Sequence, residues 1–221
     1  MTEKQKPKYT VEYKFILIGN TAVGKTLFFK RIQTGIFNEK NISTIGVDRC
    51  VLYFKDIDVK IKGKDSKEEF NIILYDTAGQ ERYRSLSKNY FSKTDVIILL
   101  YDITNKKTFE DIEKWLDSVD DLLSNRKTGN YIIFLLGNKS DLVGKDYELR
   151  EVAEEEAKNL CEEKGIYWGG ECSMKDFTKE KLSDILLKAW KKYVEKFGIK
   201  QNSKMAFRLG NMKKATYKIK C

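Results

Sequence analysis

The chain has 221 residues, 41% of them hydrophobic and 12% aromatic, which suits one soluble domain with ragged ends and enough apolar material for a substantial core. It has no histidine, and this excludes a Ser/His/Asp triad and the usual catalytic zinc site, leaving phosphate handling or carboxylates as the source of any chemistry. The formal net charge is +9, but residues 199–221 carry Lys200, Lys204, Arg208, Lys213, Lys214, Lys218 and Lys220 with no acid, so the body is close to neutral and no nucleic-acid partner is expected.

Residues 1–10 hold the one proline, Pro7, and few apolar side chains, and read as a flexible arm. No apolar run approaches the roughly 18–20 residues needed to cross a bilayer, and the N-terminus lacks a secretory stretch, so a cytoplasmic protein is expected. Cys50, Cys161, Cys172 and Cys221 have no metal-ligand spacing and read as free thiols.

A folded domain is expected over 11–198. Its first strand is VEYKFILIG (11–19), followed by the helical KTLFFKRIQTG (25–35). Residues 46–75 then read as a long hairpin, VLYFKDIDVKI and EEFNIILYD, with GKDSK as its turn. The strand VIILLYDI (96–103) precedes a helix over 107–123, and NYIIFLLG (130–137) precedes a helix over 148–165; a last helix runs over 181–197. Continuous apolar runs such as IILLY are strands covered on both faces, and the alternation predicts an α/β fold: a mostly parallel sheet with helices on both sides, expected to be six-stranded, five of whose strands are placed by these runs. Residues 199–221 show no periodic apolar face and read as a basic tail.

Directly after the first strand stands Gly19-Asn20-Thr21-Ala22-Val23-Gly24-Lys25-Thr26, a full match to GxxxxGK[ST] in a strand–loop–helix setting, which predicts a P-loop NTPase fold. Glycines at both ends let backbone N–H groups from Asn20 to Gly24 converge on phosphates at the positive end of the next helix. Lys25 would supply charge to the β- and γ-phosphates, and the Thr26 hydroxyl would ligate Mg²⁺. The loop alone leaves kinases and ATPases open.

Asn138-Lys139-Ser140-Asp141 follows the strand IIFLLG, at the carboxyl end where ligands of parallel sheets collect. The Asp141 carboxylate can accept from N1–H and the N2 amino group of guanine. Adenine offers no such pair of donors and would leave the charge unpaired.

From Val11 to Phe197 the chain resembles a Ras-superfamily small GTPase, most like the Rab branch. Besides the two segments above, the resemblance rests on Ser43-Thr44-Ile45-Gly46-Val47-Asp48, on Asp76-Thr77-Ala78-Gly79-Gln80-Glu81-Arg82-Tyr83-Arg84-Ser85-Leu86, on Tyr101-Asp102-Ile103-Thr104-Asn105 and on Glu171-Cys172-Ser173-Met174-Lys175. It implies that GTP or GDP is bound with Mg²⁺, that Thr44 joins Thr26 on the metal and touches the γ-phosphate, and that Asp76 holds the metal through water. It further implies that the Gly79 N–H meets the γ-phosphate, that Gln80 orients the attacking water, and that Phe37 lies against the guanine. Ser173, the Met174 backbone and Lys175 would complete the base pocket around Asn138, Lys139 and Asp141. Phosphoryl transfer needs positioned charge more than a strong base, so a histidine-free chain suits it.

The same resemblance implies slow intrinsic hydrolysis, an exchange factor, a GTPase-activating protein that completes the catalytic charge, and effectors that read the GTP state. It implies regulation of vesicle and membrane traffic by cycling from the cytoplasm onto the cytosolic face of an internal membrane. The tail would meet an anionic membrane surface, and a prenyl group on Cys221 would anchor it, with a GDP-dissociation inhibitor or escort protein as a further partner. The ending Ile219-Lys220-Cys221 is neither C-a-a-X nor a double cysteine. Other departures from the Rab pattern are Arg49, Tyr75, Thr21 and Met174, and a stretch between Thr44 and Asp76 that is about ten residues long in excess, placed in a solvated hairpin tip around Lys62–Lys67 or in an effector contact. A GTP-binding scaffold with little hydrolysis is the alternative reading; an ATP-dependent P-loop kinase or motor is disfavoured by Asn138–Asp141.

Overall fold

Strand β1 (Val11–Ile18) is the centre of the sheet because its side chains are apolar on both faces: Phe15 and Leu17 enter one core, Ile16 and Ile18 the other. The structure is a computed structural model that describes residues 10–38, 47–61, 63–77, 91–123, 130–144, 146–200 and 218–220. The arm over 1–9, most of the tail and Cys221 lie outside these residues.

β1 pairs in parallel with β3 (Lys64–Thr77) on one side and β4 (Val96–Asp102) on the other. β5 (Ile132–Asn138) and β6 (Tyr167–Cys172) extend the parallel sheet beyond β4, and β2 (Val47–Ile61) lies antiparallel to β3. The order is β6-β5-β4-β1-β3-β2, the expected six strands, and a three-residue segment β7 (Lys218–Lys220) adds antiparallel to the outer edge of β2 as a seventh. Every residue of β4 and β5 is buried, as in strands covered on both faces.

Helices α1 (Lys25–Thr34) and α6 (Lys179–Phe197) close one core, where Trp190 stacks on Phe70 at 4.0 Å between ring centroids. Helices α2 (Lys106–Glu110), α3 (Ile112–Leu123) and α5 (Glu154–Lys164) close the other, and the short α4 (Ser140–Val143) follows β5. Cys50, Cys161 and Cys172 are buried thiols outside any disulfide; burial pushes the Cys161 and Cys172 thiols up to about 12, so these two are inert filler. Among the described residues no helix is long and apolar enough to cross a membrane. The packed body continues through Lys200, whose ammonium reaches the buried Asp95 carboxylate at 2.6 Å and the Glu12 carbonyl at 3.0 Å.

Two predicted helices change most. The helix expected over 107–123 is interrupted at Asp111, and the one expected over 148–165 begins only at Glu154. Residues 147–149 form a single 3₁₀ turn, and Arg150 is then pulled into extended backbone by a two-point ion pair with Glu171 at 2.6 and 2.8 Å.

Of the expected hairpin turn over GKDSK only Gly63, at φ +80, stays out of the ladder, so Lys64–Lys67 are ladder residues and not a solvated loop; Lys62 lies outside the described residues. The excess length is taken up as strand beyond a bulge at Lys55–Asp56, where Asp56 adopts φ +57. An extra residue reverses the parity of a strand's faces. The sequence follows the reversal: Cys50, Leu52 and Phe54 face the core before the bulge, and Ile57, Val59 and Ile61 face it afterwards.

Candidate nucleotide-binding site

The phosphate loop leaves β1 at Gly19, whose φ of +133 places a hypothetical Cβ 2.2 Å from the Leu100 carbonyl oxygen. Only glycine fits there. At the far end Gly24, φ +104, forms the N-cap of α1 without a side-chain hydrogen bond, and the first turn of α1 has no acidic residue. The helix therefore presents uncapped N–H groups and the positive end of its dipole to the space above the loop, where an anion is the fitting partner.

Lys25 is 4% exposed and lies across the loop, donating to the Gly19 and Asn20 carbonyls, each at 2.6 Å. Asp76, the next-to-last residue of β3, stands opposite Leu17 of β1, in register with the phosphate-loop strand. Thr77 beside it donates its hydroxyl to the Leu17 carbonyl at 2.7 Å. Asp76 is fully buried, and both of its carboxylate oxygens lack a hydrogen-bond partner of normal geometry among the described residues.

Burial raises the Asp76 carboxyl to about 6, against the pull of the Thr26 hydroxyl and the Lys25 ammonium. A buried carboxylate beside a threonine hydroxyl at a phosphate loop, its two oxygens without a normal hydrogen bond among the described residues, fits a hard divalent cation, because the donors are all oxygen. No cluster of three acidic, Cys or His ligands exists among the described residues. Such a metal would thus depend on hydroxyls, water and phosphate for its remaining contacts.

The base-side residues come from three separate segments. The buried Asn138 side chain donates to the Val23 carbonyl at 2.7 Å, so it ties β5 to the phosphate loop. Gly24 shares this contact, since a Cβ on it would stand 2.2 Å from Asn138 Nδ2. Lys139 adopts φ +74, and its ammonium pairs with Asp102 at 2.5 Å. Asp102 is in turn fixed by the Thr104 N–H and hydroxyl at 2.9 and 2.7 Å.

Asp141 is held by the Ser173 hydroxyl, which donates to it at 2.7 Å while accepting from the Lys175 and Asp176 N–H groups at 3.2 and 3.0 Å. Met174 is buried beneath this turn, and its Cγ lies 3.6 Å from the hypothetical Gly24 Cβ. Phe37 is half-buried against the α1–α6 core.

The fold thus brings Asn20–Thr26, Asp76, Asn138, Lys139, Asp141 and Ser173–Lys175 to one end of the sheet. Thr44, Gly79, Gln80 and Cys221 lie outside the described residues. Sequence reasoning gave no role to Asp102, which clamps Lys139, or to Arg31, whose guanidinium donates to the Phe177 carbonyl at 3.0 Å and the Gly35 carbonyl at 2.9 Å. It also treated Asn20 only as a loop residue. The one readable signal was the carboxylate of Asp102 closing an apolar strand.

A sequence model of the Ras family matches residues 14–195. The chain is 36% identical to the Ras-related protein YPTC6 of Chlamydomonas reinhardtii, covering 75% of this chain and 69% of that one. It is also 36% identical to human Ras-related protein Rab-30, over 72% of this chain and 70% of that one. Mouse Ras-related protein Rab-19 is 35% identical, over 74% and 68% respectively. With a family match across most of its length and relatives of this identity, the chain belongs to the Ras family of small GTPases and is Rab-like within it.

Proposed function

We propose that this chain is a molecular switch that binds GTP and GDP with Mg²⁺, hydrolyses GTP slowly until a GTPase-activating protein engages it, and directs vesicle traffic from an internal membrane. The observation that carries the reading is the buried Asp76 carboxylate, without a normal hydrogen bond among the described residues, beside Thr26 at the foot of a helix whose N-cap has no side-chain hydrogen bond. Among the described residues only the Thr26 hydroxyl and the Lys25 ammonium offset that charge, and a bound cation would keep it ionised at neutral pH.

In this reading Lys25 turns from the Gly19 and Asn20 carbonyls to the β- and γ-phosphates, and the N–H groups of Asn20–Gly24 surround them. Thr26, Thr44 and, through water, Asp76 would hold Mg²⁺, which would supply positive charge against the phosphates. Asp141 accepts from the guanine edge, its geometry set by Ser173, while Asn138 keeps the base loop against the phosphate loop. Lys139 lies along the base, Phe37 faces it, and the Met174 and Lys175 segment closes the rim. Gln80 orients the attacking water, with Gly79 and Thr44 contacting the γ-phosphate. Loss of that phosphate releases both segments, which is what effectors read.

Residues 11–198, together with Ile199 and Lys200 that pack on them, serve as the nucleotide domain and the rest of the chain to Cys221 as a basic tether, with residues 1–10 as an arm. Each tail Lys or Arg near an anionic leaflet adds about 1 kcal/mol, and prenylation of Cys221 supplies the lasting anchor. An exchange factor, effectors and a GDP-dissociation inhibitor or escort protein are the partners this cycle requires.

The test begins with the nucleotide released on denaturing the purified chain. Guanine nucleotide is expected, and adenine nucleotide overturns the reading. Single-turnover hydrolysis of bound GTP is then expected to slow by more than about tenfold in Gln80→Leu, since an unpositioned water forfeits the proximity contribution. Equal rates would leave the chain a GTP-binding scaffold. An unmodified intact mass of the protein taken from its own cells would remove the lipid anchor.

A further inference from the structure

Asn20, the second residue of the phosphate loop, is bound through its side chain to the helices outside the loop. Its amide nitrogen donates to Asp111 Oδ2 at 2.8 Å, and its amide oxygen accepts the Trp115 indole N–H at 2.7 Å. One partner is a pure acceptor and the other a pure donor, so the orientation of the amide is fixed. Both partners sit one helical turn apart, at the point where α2 and α3 part, and the Trp115 backbone N–H donates to the Asp111 carbonyl at 3.1 Å.

The Asp111 carboxylate is itself pinned. Lys114 donates to its second oxygen at 2.7 Å, and the Lys107 ammonium stands 3.4 Å away, itself shared with Glu110. The hydrogen bonds from Lys114 and Asn20 hold its carboxyl down at about 2. On the inner side the Asn20 carbonyl receives Lys25 Nζ at 2.6 Å. A continuous series of contacts therefore runs from the α2–α3 junction through Asn20 to the lysine of the phosphate loop.

The loop needs such a support. From Gly19 to Val23 it has no regular structure, and Ala22 is held at φ +63, a conformation alanine adopts only when its surroundings impose it. N–H groups that converge on phosphate are effective when they are already in place.

We propose that Asn20, Asp111 and Trp115 form a positioning unit that grips the phosphate loop from outside, sets the placement of Lys25, and thereby governs how long a nucleoside diphosphate stays bound. The proposal rests on the reading of the loop as a guanine-nucleotide site. It also accounts for a neutral amide at this position: a carboxylate at residue 20 would face Asp111 at hydrogen-bonding distance with no proton between them.

Release of GDP from the preloaded full-length protein into excess unlabelled nucleotide provides the test. Asn20→Asp is expected to release GDP at least about tenfold faster than the native chain, because two carboxylates replace a donor–acceptor pair. Adding Asp111→Asn exchanges donor and acceptor, leaves an oxygen for the Trp115 N–H, and is expected to bring release back to within about threefold of native.

Trp115 supplies a spectroscopic readout. Its indole emission should shift on GDP release, and the shift should vanish in Trp115→Phe although Trp168 and Trp190 remain. Native-rate release from Asn20→Asp overturns the proposal, as does a double variant that neither folds nor retains GDP better than the single one. A native chain that binds no guanine nucleotide is a different failure, that of the site reading, and it is seen before any variant is made.

Discussion

Two parts of the molecule deal with backbone beyond the packed sheet in opposite ways. At the carboxyl ends of β1 and β5 the chain leaves the ladder, and its carbonyls are taken one at a time by buried side chains: Gly19 and Asn20 by Lys25, Val23 by Asn138, Leu17 by Thr77. In the far half of the β2–β3 hairpin, residues 57–61 and 64–68 stay in antiparallel register, and the backbone orders itself. Where a ligand must enter, order comes from single side chains, and each is costly to lose; where the ladder supplies order, outward side chains are free to vary.

The largest effect should come from removing the room the loop needs. Gly19→Ala drives a methyl to 2.2 Å from the Leu100 carbonyl and holds alanine at φ +133, and is expected to lose more than about 4 kcal/mol in urea denaturation. A loss under about 1 kcal/mol would show that β4 yields and that the loop is less constrained than its contacts indicate.

Next comes Asp76. Its carboxyl is raised from the ordinary 3.8 to about 6 by burial, so the protein stripped of metal and nucleotide keeps this contribution below pH 4 and loses it as the pH rises through 6, a change of roughly 3 kcal/mol. Chelated, nucleotide-free protein should therefore melt at a higher temperature at pH 5 than at pH 7.5, and Asp76→Asn should flatten that slope. A native protein with no slope would sever the link between this carboxylate and an absent cation.

Asn138→Ala should be milder, about 2 kcal/mol, because the Val23 carbonyl loses a buried donor while the backbone around it stays in place. The measurement that separates site from scaffold is GDP affinity, expected to fall further than stability does.

How much of this was legible depended on whether the cause was local. The phosphate loop and Asn138–Asp141 could be read because their chemistry lies in consecutive residues placed after apolar strands. β6 was not placed because YWGGEC reads as a turn. Its glycines are required by neighbours the sequence cannot display: a Cβ on Gly169 would meet Leu136 Cδ2 at 2.4 Å, and Gly170 takes φ +103 where the register with β5 slips. The helix expected from 148 was cut short for a similar reason, since the Glu151 and Val152 N–H groups both turn to the Ile103 carbonyl at 3.0 and 3.2 Å. Asp111 and Trp115 looked like ordinary positions of an amphipathic helix until Asn20 stood beside them.

The hairpin offers the sharpest contrast, because its two faces should answer differently. Val59 is 8% exposed and packs on the α1–α6 core, so Val59→Ala should cost about 1–2 kcal/mol in urea, a modest truncation at the core's margin. On the outer face Asp58 and Lys67 stand 3.9 Å apart with side chains 82% and 68% exposed. Such a pair gains little in water and is screened by salt, so Lys67→Ala should change stability by less than about 0.5 kcal/mol. The ladder from Ile57 to Ile61 does not need that pair, and equal costs at Val59 and Lys67 would mean that the far hairpin is held by its charges and not by its backbone and one apolar face.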